Sequence, residues 1–278
     1  MSQIIVENHP ETLVELGKLY AERCDFHVAK DYYKRAKKLY LDKKDAVNYM
    51  KVVNYLLRIY AEMEDHEAIE QLKEKIQNYV LKEKIDIDSR TYYTLGLCSS
   101  FKGQQKTALE FLEKSLAVAL ANDEKENICY AIHGIANIYY MLRRYEDALK
   151  EIYNMQVFFQ VLPLPELKLT SQILNGHILR EMGKYEQAIE IFAKCYEELK
   201  EQKNLYVFIC LLYAMGKTYF EAGNMELARL YFNLAKKSAD PVNLKHSAKK
   251  IDQYMAKMGI ETLSESDLIF DSVNKQVI

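Results

Sequence analysis

An all-α array of paired helices is the fold class this sequence predicts, and three observations predict it. The 278 residues include only nine glycines and four prolines, too few turn-forming residues for a sheet-rich fold. A small or compact residue returns at Ala29, Ile69, Ala108, Ala148, Ala188 and Ala228, with gaps of 40, 39, 40, 40 and 40 residues by subtraction. A second frame keeps phase with it. Four positions after each anchor come Tyr33, Lys73, Leu112, Ile152, Phe192 and Phe232, and twelve before each come Gly17, Leu57, Gly96, Ala136, Gly176 and Gly216. Six returns of one pattern mark a repeat architecture.

Each repeat reads as two helices. The anchor lies on the second, where a small residue lets two backbones approach and the bulky residue one turn later fills the adjoining groove. The glycines twelve positions earlier lie on the first helix, where each costs about 1 kcal/mol relative to Ala; close packing against the partner helix offsets that cost. Turns within repeats are expected at Asp25, Asp65, Gly103, Arg144, Gly183-Lys184 and Gly223-Asn224. Turns between repeats are expected near 42–45, 82–89, 122–127, 162–165, 201–204 and 240–243, which accommodates Pro163, Pro165 and Pro241 outside helix interiors. The second repeat departs most, with Leu57, Ile69 and Lys73 in the frame, and its helices are expected to pack less closely.

The first repeat reads Leu16-Gly17-x2-Tyr20, then Phe26, Ala29, Tyr33 and Ala36; the last reads Met215-Gly216-x2-Tyr219, then Gly223, Ala228, Phe232 and Ala235. This frame resembles the tetratricopeptide repeat family over about residues 10–240. The resemblance implies a right-handed superhelical solenoid of about six helical hairpins. Residues 1–258 form it, with repeats near 10–43, 50–82, 89–122, 129–161, 169–202 and 209–240. The period exceeds the usual 34 residues, and the uninterrupted runs 106–121 and 185–201 place the extra length in the second helices.

A last helix over 243–258 acts as a cap. Leu244, Ala248, Ile251 and Met255 form its apolar stripe, and Lys245, Lys249, Lys250 and Lys257 its wet face. Residues 259–278 change character. Leu268, Ile269, Phe270, Val273, Val277 and Ile278 are strand formers, and 267–271 resembles the opening strand of an OmpR-type winged-helix domain. That resemblance implies the start of a truncated further domain.

Composition narrows the function. Lys plus Arg is 38 and Asp plus Glu is 40, without the basic excess of a nucleic-acid footprint; Lys34, Arg35, Lys37 and Lys38 read as a solvated helix face. No secretory leader or transmembrane run of about 18 apolar residues is visible, so no membrane partner and a cytoplasmic location are expected. Five cysteines without a CxxC pair read as reduced, mostly buried thiols. No GxSxG, HExxH, P-loop or GxGxxG occurs, so neither catalytic residues nor a cofactor are expected. His133, His177 and Cys210 are too few for a metal site, and the histidines read as polar groove residues.

In the resembled family the first helix of each hairpin lines a concave groove. Carrying that stripe onto this chain gives Lys18, with Val14 and Ala21, in the first repeat, and Asn54 and Arg58 in the second. Tyr93, with Leu97, follows in the third. The fourth contributes His133, Asn137 and Tyr140, the fifth His177 and Arg180, and the sixth Tyr213 and Lys217, with Phe220. Asparagine amides can bind a peptide backbone with donor and acceptor together, and lysine and arginine can meet carboxylates. The expected function is a non-enzymatic adaptor or scaffold that holds a peptide or protein with acidic side chains. Val14 and Lys18 do not reproduce the carboxylate clamp of chaperone-binding members. The alternative is the sensing and oligomerising part of a bacterial transcription regulator. A Rap-type enzyme regulator would need a separate N-terminal bundle, and the first repeat begins near residue 10. Exposed apolar ends of such arrays self-associate, which puts a homodimer among the expected states.

Overall fold

A computed structural model describes residues 9–83, 87–202, 204–239, 245–260 and 262. Among them are thirteen α-helices and no strand. In chain order they are α1 Pro10–Glu22, α2 Phe26–Asp42, α3 Ala46–Glu62, α4 His66–Glu83, α5 Ser89–Phe101 and α6 Gln105–Ala121. There follow α7 Lys125–Met141, α8 Tyr145–Phe159, α9 Pro165–Glu181, α10 Tyr185–Gln202, α11 Leu205–Glu221, α12 Met225–Ala239 and α13 Lys245–Lys257. The strand-forming stretch from 267 onward lies outside the described residues.

Several helix starts carry side-chain caps, whereas those of α6, α7 and α8 have none. Asp45 accepts from the amide of Asn48 at 3.1 Å, Asp65 from Ala68 at 3.0 Å, Asp88 from Thr91 at 2.7 Å and Asn204 from Val207 at 3.1 Å. Each such cap is worth about 1 kcal/mol. The turn inside each hairpin holds one residue in the left-handed region, at Cys24, Glu64, Gly103, Arg143, Gly183 and Gly223. In each of the last four turns, the residue after it donates to a carbonyl five back, as Gln104 does to Ser99 and Asn224 to Tyr219, which closes the preceding helix.

The small-against-large frame is the packing rule. A β-carbon added to Gly17 would fall 2.5 Å from Tyr33 Cε1, and one on Gly96 would fall 2.8 Å from Leu112 Cγ. The same addition at Gly176 meets the Phe192 ring. Ala29, Ala108, Ala148, Ala188 and Ala228 are fully buried, as is Ile69, so the second repeat buries a larger residue at its crossing. The second helix is the longer one in four hairpins, with 17, 18, 17 and 18 residues in α2, α4, α6 and α10 against 13, 17, 13 and 17 in α1, α3, α5 and α9. In the fourth and sixth hairpins the first helices α7 and α11 have 17 residues and the second helices α8 and α12 have 15.

The chain forms two compact units: Met1–Ala21 with Phe26–Leu167, and Glu22–Asp25 with Lys168–Ile278. In the first, consecutive helices pack on one another, and α3, α5 and α7 also touch in succession. That is the stacking expected of hairpins that cannot bury their apolar faces alone. In the second, α10, α11, α12 and α13 follow the same order, and Ile251 and Met255 of α13 are buried. Cys24, Cys98, Cys129 and Cys195 are buried, whereas Cys210 is exposed.

Candidate functional site

First-helix residues of the first unit converge. Tyr33 lies over Gly17 and stacks on Tyr55 of α3, with centroids 5.2 Å apart and planes 16° apart. The Lys18 ammonium sits 5.6 Å from the Tyr55 ring centre, a cation–π contact. Tyr93 of α5 meets Tyr130 of α7 at 5.9 Å. The exposed Arg58 on α3 is close enough for its charge to act on Tyr33, Tyr93 and His133. Glu166, at the start of α9, acts in the same way on Lys18, Tyr33 and Tyr130. Residues from five helices and the start of a sixth thus face one another.

Electrostatics follow from partial desolvation. Burial pushes the Tyr93 phenol up to about 12, with Arg58 opposing. Burial, helped by Arg58, lowers the His133 imidazole to about 4. It is therefore neutral at pH 7, with a donor and an acceptor on its ring. Lys18 is pulled down by burial but more than restored by its 2.9 Å bond to Glu15 and by neighbouring negative charge, so its pKa is raised.

Second contacts hold these side chains. The Thr94 hydroxyl lies 2.7 Å from Asn54 Oδ1 and 2.8 Å from the Arg90 carbonyl. At the N-terminal ends of α5 and α7, the Ser89 hydroxyl donates to Glu124. Asn127 Nδ2 donates to Glu124 at 2.9 Å and to Ser89 Oγ at 3.0 Å, and Arg90 donates to Asn127 Oδ1 at 3.1 Å. The hydrogen bonds from Ser89 and Asn127 lower the Glu124 pKa. This network fixes the register of neighbouring first helices.

The other predicted positions divide. Asn137 is exposed on the same helix as His133, one turn on. Tyr140 packs against Tyr145 at 6.2 Å, towards its own hairpin turn. In the second unit, His177 meets the Phe192 ring edge-on at 5.4 Å, and its pKa is lowered to about 3 by burial and by the charges of Arg180 and Lys217. The Arg180 side chain is only 4% exposed and is ion-paired with Glu181 and, at 3.6 Å, with Glu221. Tyr213 and Lys217 both reach Tyr254 of α13, at 5.5 Å each. Arg180 is thus engaged internally, while Tyr213 and Lys217 border the last helix.

Sequence reasoning missed Tyr55, Tyr130 and Glu166. Tyr55 lies three residues before Arg58, and Tyr130 three before His133, so both belong to the same helical stripe. Tracing that stripe one turn further would have found them. Among the described residues, no group of three or more His, Cys, Asp or Glu could hold a metal ion, and no helix is long and apolar enough to cross a membrane.

Comparison with known proteins places these observations. The tetratricopeptide repeat family model matches residues 89–122 and 171–198. No curated protein matches significantly in sequence. Among solved structures, the chain is similar to a Rap protein complexed with competence and sporulation factor (TM-score 0.63, 14% identity, covering 94% of this chain and 76% of that one). It is similar to the apo form of the quorum sensor NprR from B. thuringiensis (TM-score 0.58, 16% identity, 96% and 74%). It is also similar to a signal transduction ATPase with a tetratricopeptide repeat sensor from Pyrococcus horikoshii (TM-score 0.52, 16% identity), covering 98% of this chain and 44% of that one. The family model thus marks tetratricopeptide repeats at 89–122 and 171–198, and the solved structures share the all-α hairpin fold of the whole chain.

Proposed function

We propose that this chain is a non-catalytic adaptor that holds an extended segment of another polypeptide on the first-helix surface of its first unit. The observation that carries the reading is the placement of Arg58: exposed, yet close enough to act on groups from α2, α5 and α7. A lone surface arginine has no such company. The surrounding groups suit a peptide. Arg58 and Lys18 meet carboxylates, Asn137 and neutral His133 meet backbone amides and carbonyls, and Tyr55, Tyr93 and Tyr130 give rigid contact area at small entropic cost. The segment therefore carries acidic side chains beside apolar ones. A Rap protein of the same fold is seen with competence and sporulation factor, which supports a binding role for the fold.

The test is a panning of the full chain against a peptide library, followed by affinity measurement. Arg58→Glu together with Asn137→Ala is expected to weaken the selected peptides more than about tenfold, with helical circular dichroism unchanged. Unchanged affinity excludes this surface. Arg180→Ala is a poor probe, because it leaves Glu181 and Glu221 without their buried cation.

A further inference from the structure

Among the described residues the first helices carry three arginines: Arg58 on α3, Arg90 on α5 and Arg180 on α9. Two of them are held. Arg90 donates to Asn127 Oδ1 at 3.1 Å, and Arg180 is paired with Glu181 and Glu221. Arg58 has neither a hydrogen bond nor an ion pair among the described residues. Its surroundings are not those of open water. Tyr93 and His133 are partly buried, and Arg58 is the one charged group that acts on either. The carboxylates of the face are spent elsewhere. Glu15 bonds Lys18 at 2.9 Å, and Glu166 acts on Lys18, Tyr33 and Tyr130. A cation without an anion, beside partly desolvated hydrogen-bonding groups, takes its counter-charge from a ligand.

We propose that Arg58 sets the sequence specificity of this surface by seating one side-chain carboxylate of the held segment. The inference rests on the reading of the surface as a peptide holder and narrows it: of the acidic residues in the segment, one is obligatory. The guanidinium fork matches a carboxylate with two parallel hydrogen bonds. Neutral His133 and the Tyr93 phenol each have a hydrogen to donate nearby. Lys18 contributes less, because its ammonium is already bonded to Glu15 and lies over the Tyr55 ring. The carboxylate belongs to a side chain and not to a chain end. Arg58 stands on α3, between Lys18 on α1 and the Tyr93–Tyr130 pair of α5 and α7, so a segment that crosses the face continues on both sides of it.

The test uses the full chain and a peptide selected on it by panning, acetylated and amidated at its ends so that only side chains carry carboxylates. Each Asp or Glu of the peptide is changed in turn to Asn or Gln, and affinities are measured for the wild type and for Arg58→Gln. Arg58 is exposed, and unchanged helical circular dichroism confirms the fold of the variant. One amide replacement is expected to weaken binding to the wild type more than about tenfold, beyond what an exposed ion pair gives. The same replacement should have little further effect on Arg58→Gln, a double-mutant cycle that ties the two groups together. A selected peptide that protects Tyr55, Tyr93 and Tyr130 in footprinting, yet loses no affinity at any single acid or loses it equally with Arg58→Gln, overturns the proposal and leaves the peptide surface standing. Failure of every selected peptide to bind this surface overturns both.

Discussion

Arg143 and Gly103 occupy the same left-handed turn position in successive hairpins, at φ 60° and 73°. A β-carbon in that region costs about 1–2 kcal/mol, and at Gly103 one would meet no neighbour within 4 Å. Backbone conformation alone therefore sets the preference. Arg143→Gly should stabilise the chain by about 0.5–1 kcal/mol and Gly103→Ala should destabilise it by about 1 kcal/mol, read from denaturant midpoints at constant slope. The histidines give a second prediction. His133 and His177 have pKa values lowered to about 4 and about 3, below the roughly 6.5 of an unfolded chain. Between those values the unfolded state binds the proton first. Stability is full above about pH 6.5 and falls as the pH drops towards 4, by about 1–2 kcal/mol per histidine between pH 7.5 and 5. His133→Gln should flatten part of that slope in urea titrations at the two pH values.

At the scale of the helix pair, the glycines of the first helices are contact points. The Tyr33 ring on Gly17 and the Phe192 ring on Gly176 fill the space a methyl group would take. Gly176→Ala should destabilise the chain by about 1–3 kcal/mol through overpacking, and Gly176→Ala with Phe192→Leu should recover part of the loss; thermal unfolding of the two variants checks both statements. These elements were legible in the sequence because one constraint recurs in five of the six repeats, a large side chain opposite a small one, and the second repeat keeps the same phase with Ile69 buried at its crossing. The long second helices α6 and α10 were legible in the uninterrupted runs 106–121 and 185–201; what stayed hidden was that the first helices α3, α7, α9 and α11 also reach 17 residues. Arg180 was also hidden. Its stripe position matches the groove, but Glu221 on the following first helix draws it into a buried ion pair, and no local spacing announces a partner 41 residues away.

For the molecule as a whole, the aromatic and cationic first-helix face of the first unit carries the functional argument. That face was partly legible, because Arg58 and His133 stand on the first-helix stripe, whereas the convergence of Tyr55, Tyr130 and Glu166 depends on how successive hairpins turn. The central claim is that this face holds a polypeptide. It is tested most directly by hydroxyl-radical footprinting of the full chain with and without a peptide selected by panning. Bound peptide should protect Tyr55, Tyr93, Tyr130 and His133 from modification while leaving exposed Tyr153 as reactive as before. Protection confined to the second helices, or none at these four residues in a saturated complex, would contradict it.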